Sequence, residues 1–160
     1  MSKVGKILIA FLILGGVFVF PAASQQQWTK EDLQNTYMEY LRQEGYVPTV
    51  DADGDIEFKV AGDVYFIILN ENDLQFFQIY TGFKFKTDTF SEEAVINAAN
   101  SSNRNSKVVK ISFSSERKVI SITAELLLND PKDFIPIFSR AISLIRNAEN
   151  NFMVQLKNFS

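Results

Sequence analysis

The hydrophobic pattern of the chain changes period several times, and each change predicts an element. Leu33, Tyr37, Tyr40 and Leu41 recur at helical steps and form one apolar stripe. Thr29 stands before the stripe as an N-cap, with Asp32 as its capping-box partner and Trp28 and Leu33 placed to staple across it. Gly45 and Val47-Pro48 stop the pattern, so a helix is predicted over about 29 to 44. Period two then takes over. Ile56, Phe58 and Val60 alternate with Glu57 and Lys59, a strand of about 55 to 60. "VYFIIL", 64 to 69, is apolar on both faces, as a central strand is. In "LQFFQIYTGFKF", 74 to 85, Phe77, Ile79, Phe83 and Phe85 share one face and Phe76 and Tyr80 the other, with Gly82 marking a bulge or bend.

A second helix is predicted from Ser91, with Glu92 and Glu93 in its first turn, fading into the polar "NSSNRNS" of 100 to 106. Strands at 107 to 114 and 118 to 128 form a hairpin across "SSER". The last element is a long helix. It starts either at Asp130-Pro131 or at Asp133; the second start is preferred because it leaves Pro136 in the first turn, where no amide bond is lost. Phe134, Phe138, Ala141, Ile145, Ala148, Phe152, Leu156 and Phe159 then recur at three- and four-residue steps. Such a helix would be ~39 Å long, against ~20 Å for a six-residue strand. Its tail, with Phe152, Leu156 and Phe159, is therefore expected to overhang the sheet and meet a partner, a homodimer being the commonest arrangement. The alternative is that the tail bends back onto the first helix near Trp28 and Leu33.

The order α-β-β-β-α-β-β-α predicts an α+β fold of two layers: a five-stranded antiparallel sheet with helices packed on one face, in one domain over 25 to 160. Phe76 and Tyr80, with Val108, Val119 and Leu127 of like parity, then lie on a face that is either open for contact or covered by the first helix or the tail.

Ahead of that domain, "MSKVGKILIAFLILGGVFVFPAAS" has the three parts of a secretory signal. Lys3 and Lys6 lead, an apolar run follows from Ile7 to Phe20, and small residues sit before a cut expected after Ser24. A spanning helix needs ~20 apolar residues, so an uncleaved membrane anchor is the alternative rather than the first reading. The expected location is periplasmic or secreted.

Composition narrows the chemistry. There is no Cys and no His, which removes disulfides, thiolate chemistry, the commonest general base and the commonest metal ligand. The net charge is −3, and no basic block is present, so nucleic acid is not an expected partner. The one stretch that resembles a metal site is "DADGDIEFKVAG", 51 to 62. Asp51, Asp53 and Asp55 fit the first ligand positions of a calcium loop, but Ile56 stands where Gly is needed and Gly62 where a bidentate Glu is needed. A turn at Asp53-Gly54 leading into a strand explains the same residues. No metal and no cofactor is therefore expected. The carboxylates of the Asp51–Glu57 loop remain as the alternative, a hydrolase or small-ligand site.

In order and spacing, "LRQEGYVPTVDADGDIEFKVAGDVYFIIL", "DLQFFQI", "EEAVINAAN", "KVVKISF", "VISITAELLL" and "DFIPIFSRAISLIRNA" resemble the YbjN-type family of candidate bacterial sensory transduction regulators, whose fold is similar to type III secretion chaperones. The resemblance covers most of 33 to 159 and implies a non-catalytic interaction or regulatory domain without an established ligand or active site. An export signal is a departure from familiar members and bears on where the domain acts. Phe76, Tyr80, Phe152, Leu156 and Phe159 are the residues expected to form its contact surface, with a protein partner or a second copy of the chain.

Overall fold

Ile56, Ile67, Ile79, Ala124 and Val109 stand side by side in one row across five strands. A second row runs parallel to it: Phe58, Tyr65, Thr81, Ile122 and Ile111. Every residue of both rows is buried. The period-two pattern of each strand has thus been brought into common register, because a one-residue slip would send any one apolar set to the opposite face.

This arrangement comes from a computed structural model that describes residues 28–85 and 89–159. The predicted signal segment lies outside the described residues. The elements are α1 (Lys30–Gln43), β1 (Thr49–Val50), β2 (Ile56–Val60), β3 (Asp63–Ile68), β4 (Phe76–Lys84), α2 (Glu92–Asn105), β5 (Val109–Ser114), β6 (Val119–Leu127), a 3₁₀ turn (Pro131–Ile137) and α3 (Phe138–Asn158). The sheet is antiparallel throughout, in the order β1-β2-β3-β4-β6-β5.

The α+β class and the helices on one face agree with the sequence pattern, but the sheet has six strands and not five. The added strand, β1, is two residues long, too short to show alternation. It exists because Asp51 turns the chain back onto β2: its N–H donates to the Asp55 carbonyl at 2.9 Å, and Thr49 and Val50 pair with Glu57 and Ile56.

Helix starts follow local chemistry closely. The Thr29 hydroxyl accepts from the Asp32 N–H while the Asp32 carboxylate accepts from the Thr29 N–H at 3.0 Å, a complete capping box. Ser91 caps α2 through the Ala94 N–H. Two boundaries differ from expectation. α2 continues through the polar run to Asn105, since Ser101 and Ser102 are small enough to pack inside, on the face shared with Ala94, Ala98 and Ala99. The last helical segment begins at Pro131 under an Asp130 cap, with Asp133 closing the capping box rather than starting the helix. That segment is 3₁₀, which accommodates Pro136 before α3 begins at Phe138.

With its start moved to Phe138, α3 has 21 residues and is only ~32 Å long. The overhang expected of its tail does not arise. Phe152 is 0% and Leu156 2% exposed, with the Phe152 ring 6.4 Å from that of Phe83. The tail lies along α2, where the Ser101 hydroxyl donates to the Gln155 side-chain oxygen at 3.0 Å, and not against α1. Phe159 alone of the three remains exposed. α1 is tied to the start of the last segment by an aromatic cluster in which Tyr37, Tyr40, Phe134 and Phe138 meet edge to face. Among the described residues, no helix is long and apolar enough to cross a membrane.

Candidate functional site

The buried rows account for one parity of each strand. The other parity builds the face that the helices leave uncovered. Across it, in register, run Glu57, Phe66, Tyr80, Thr123 and Lys110. Beside this row lie Ile68, Gln78 and Glu125, and then Phe76 with Leu127. Phe66, Ile68, Phe76 and Tyr80 are half-buried, while Leu127 is 78% exposed. The rings of Phe66 and Tyr80 are 5.9 Å apart and form the centre of the patch.

Tyr80 does not stand upright on the sheet. Its ring lies along its own strand above Gly82, close enough that a Cβ there would collide with the phenol. Gly82 pairs regularly with Ser121, so the glycine is needed for this ring and not for a bulge. The effect is to flatten the aromatic surface and shield the backbone beneath it.

Charge sits on both sides of the aromatic centre. Glu57 is on the β2 side, with Thr49 of β1 continuing the row beyond it. At the β5 end Lys110 is paired with Glu125 at 2.6 Å, and Glu125 also accepts from the Thr123 hydroxyl at 3.1 Å. Thr123 is buried between them even though it is on the uncovered face. Adjacent strands lie about 4.8 Å apart, so the row spans roughly 19 Å from Glu57 to Lys110.

Phe76 and Tyr80 are therefore brought together on one face, with Leu127 beside them. Val119 is at the far end of the same face, and Val108 is outside it, in the left-handed region (φ 57°) just before β5 begins. Phe152 and Leu156 belong to the core of the opposite face and take no part in this surface; their periodicity was that of a helix facing its own sheet. The sequence reading missed Phe66 and Ile68. Their strand is apolar on both faces, which was read as burial on both; with helices on one side only, the second apolar set becomes the uncovered patch.

The acidic loop is built as a turn. One Asp51 carboxylate oxygen accepts from the Asp53 N–H at 3.0 Å and from the Asp55 N–H at 2.9 Å. An Asp55 oxygen accepts from the Leu69 N–H at 2.8 Å, bridging to the end of β3. Burial holds the Asp55 carboxyl above its ordinary value, with the Leu69 hydrogen bond opposing it. Gly54 takes φ 81° and meets α1, where the Gln34 amide donates to its carbonyl at 2.7 Å and the Lys30 ammonium to the Asp53 carbonyl at 3.1 Å. The Asp51 and Asp55 carboxylates are thus each occupied with backbone amides, and the loop is clamped to the first helix.

No family model matches the chain, and no curated protein matches it in sequence. Its fold is similar to that of several solved structures. An uncharacterised protein from Methanothermobacter thermautotrophicus superposes with a TM-score of 0.56 at 13% identity, over 79% of this chain and 97% of the other. YbjN of E. coli, a candidate transcription regulator, gives 0.54 at 12% identity, over 78% and 89%. A chain of the HopA1–SchA chaperone–effector complex gives 0.54 at 7% identity, over 79% and 98%. At these identities the likeness is one of fold. It agrees with the fold implied by the local sequence resemblance to the YbjN type.

Proposed function

We propose that the chain is an exported, non-catalytic protein-interaction module that self-associates through the uncovered face of its sheet. The observation that carries this reading is the Phe66–Tyr80 centre with Ile68, Phe76 and Leu127 on the same face, an apolar surface that no helix among the described residues covers. Neighbours of the same fold include a chaperone–effector complex, which supports a protein rather than a small molecule as the partner class.

A second copy suits the face for a reason of symmetry. Tyr80 is the middle residue of the part of the row carried by β2 to β5, with Glu57 two strands to one side and Lys110 two strands to the other; Thr49 of β1 continues the row beyond Glu57. A two-fold axis parallel to the strands, lying between the two faces over Tyr80, sets the row against its own reverse. Each Glu57 then faces the Lys110 of the other copy, each Phe66 the other copy's Thr123, and the two Tyr80 rings meet at the axis. Such an isologous contact needs no second surface, and opposite charges at its ends fix the register.

Sedimentation equilibrium of the exported chain, which begins at Gln25, tests the reading. The wild type is expected as a dimer and Tyr80→Lys as a folded monomer. A wild type that stays monomeric at high concentration, or a variant that stays dimeric, overturns it. Export is tested separately by the intact mass of the protein recovered outside the cytoplasm, which is expected to begin at Gln25; recovery of the whole chain in the membrane fraction would support an anchor instead.

A further inference from the structure

β5 is the last strand on its side of the sheet, and the middle of its outer edge is already occupied. The Ile111 N–H donates to the Asn103 side-chain carbonyl at 2.8 Å, and the Asn103 side-chain amide donates to the Ile111 carbonyl at 2.9 Å. Both main-chain groups of Ile111 therefore point away from β6. The paired side of the strand agrees. The Glu125 N–H donates to the Val108 carbonyl at 3.3 Å, which turns the main-chain groups of Val108, Lys110, Ser112 and Ser114 toward β6 and those of Val109, Ile111 and Phe113 outward. Among the described residues no strand pairs with that outward row.

A side-chain amide offers a donor and an acceptor together, the same pair that a peptide group of a neighbouring strand presents. A carboxylate could only accept. Asn103 stands in the last turn of α2, which packs against β5, and from there it reaches the edge. The edge it closes is self-complementary. The outward row is symmetric about Ile111, so two β5 strands laid antiparallel would set Ile111 against Ile111 and Val109 against Phe113, each pair exchanging main-chain hydrogen bonds. On the uncovered face Lys110 would stand opposite Ser112, so no like charges would be directly opposed. The row itself is β-branched and aromatic. An edge of this kind pairs with another strand unless something blunts it.

We propose that Asn103 is an edge guard. Its amide stands in for the strand of a second copy, at the residue on which antiparallel β5–β5 pairing would be centred, and so keeps two sheets from joining edge to edge. The opposite edge of the sheet needs no such device, because β1 has only two residues. The guard acts at β5 alone and does not depend on dimerisation through the uncovered face.

The test uses the chain from Gln25 onward carrying Tyr80→Lys, so that association through the uncovered face stays out of the readout. Every comparison is with the same background retaining Asn103, and so holds whatever state that background has. Asn103→Ala and Asn103→Ser open the edge, since both side chains end short of Ile111. Asn103→Asp loses the amide donor but keeps an acceptor for the Ile111 N–H and puts a charge on the edge, which opposes pairing. Sedimentation equilibrium is expected to show a roughly twofold rise in mass for the Ala and Ser variants and no rise for the Asp variant, as for two edges closing on each other. Amide exchange at Val109 and Phe113 is expected to slow about tenfold in the associated variants, the effect of one added main-chain hydrogen bond. A contact that merely holds α2 to β5 would move neither readout in this way. Unchanged mass in both open variants, equal association of the Asp variant, association without slowed exchange at Val109 and Phe113, or loss of the native near-UV circular dichroism in both open variants overturns the proposal.

Discussion

The ring of Tyr80 and the α-carbon of Gly82 are in contact along one strand, so that a methyl group added at Gly82 would meet the phenol and, at 3.0 Å, the carbonyl oxygen of Ile120. The backbone oxygen cannot yield, and the ring can leave only by giving up its contact with Phe66. Gly82→Ala is therefore expected to cost about 1–3 kcal/mol, the usual range for overpacking. It should also lift Tyr80 off the sheet. Urea denaturation measures the first effect, and loss of the Phe66–Tyr80 cross-peak in NMR the second. An unchanged midpoint would mean that the ring does not rest on Gly82.

The C-terminal helix makes a prediction opposite to the one its periodicity suggests. Truncation after Asn151 removes Phe152 and Leu156, both in the core. The truncated chain is expected to lose its cooperative thermal transition, and Phe152→Ala alone to cost about 3–5 kcal/mol. A truncated chain that melts like the full one, only at a changed oligomeric state, would place the tail in an interface after all.

Glu149 couples stability to pH. Its value is raised in the folded chain, so over a window just above the ordinary carboxylate range the folded state holds a proton that the unfolded state has lost. Stability then rises as pH falls through that window, and the burial penalty is complete above it. Glu149→Gln is expected to be more stable than wild type at neutral pH, with the difference shrinking as pH falls into the ordinary carboxylate range. Paired denaturant titrations at the two pH values check this. A difference that grows on acidification would mean that the carboxylate is stabilised by a partner instead of penalised.

Much of the fold was legible because its signals are local. Thr29 with Asp32, and Ser91 with Glu92 and Glu93, mark helix starts through their own side chains, and alternation in β2, β5 and β6 names the buried parity of each strand. Three things were not legible. β1 has no pattern of its own and depends on the hydrogen bonds of Asp51 across a turn. The polar text of α2 hides Ser101 and Ser102, which are buried because they are small. The role of Phe152 and Leu156 depended on where α3 starts, and Pro136 permits a 3₁₀ segment that shortens the helix. The candidate surface was half legible. Phe76 and Tyr80 follow from parity within one strand, whereas Phe66 joins them only through the register between strands.

The central claim is that two copies meet through the row from Glu57 to Lys110. The most direct test is a charge-exchange cycle read by sedimentation equilibrium of the chain from Gln25 onward. Glu57→Lys places like charges opposite each other at both ends of the contact, and Lys110→Glu does the same with the opposite sign. The double variant Glu57→Lys with Lys110→Glu restores opposite charges in reversed order. The account predicts a dimeric wild type, weakened association in each single variant and recovery in the double variant. Association that is indifferent to all three variants, or that falls further in the double variant, would contradict it.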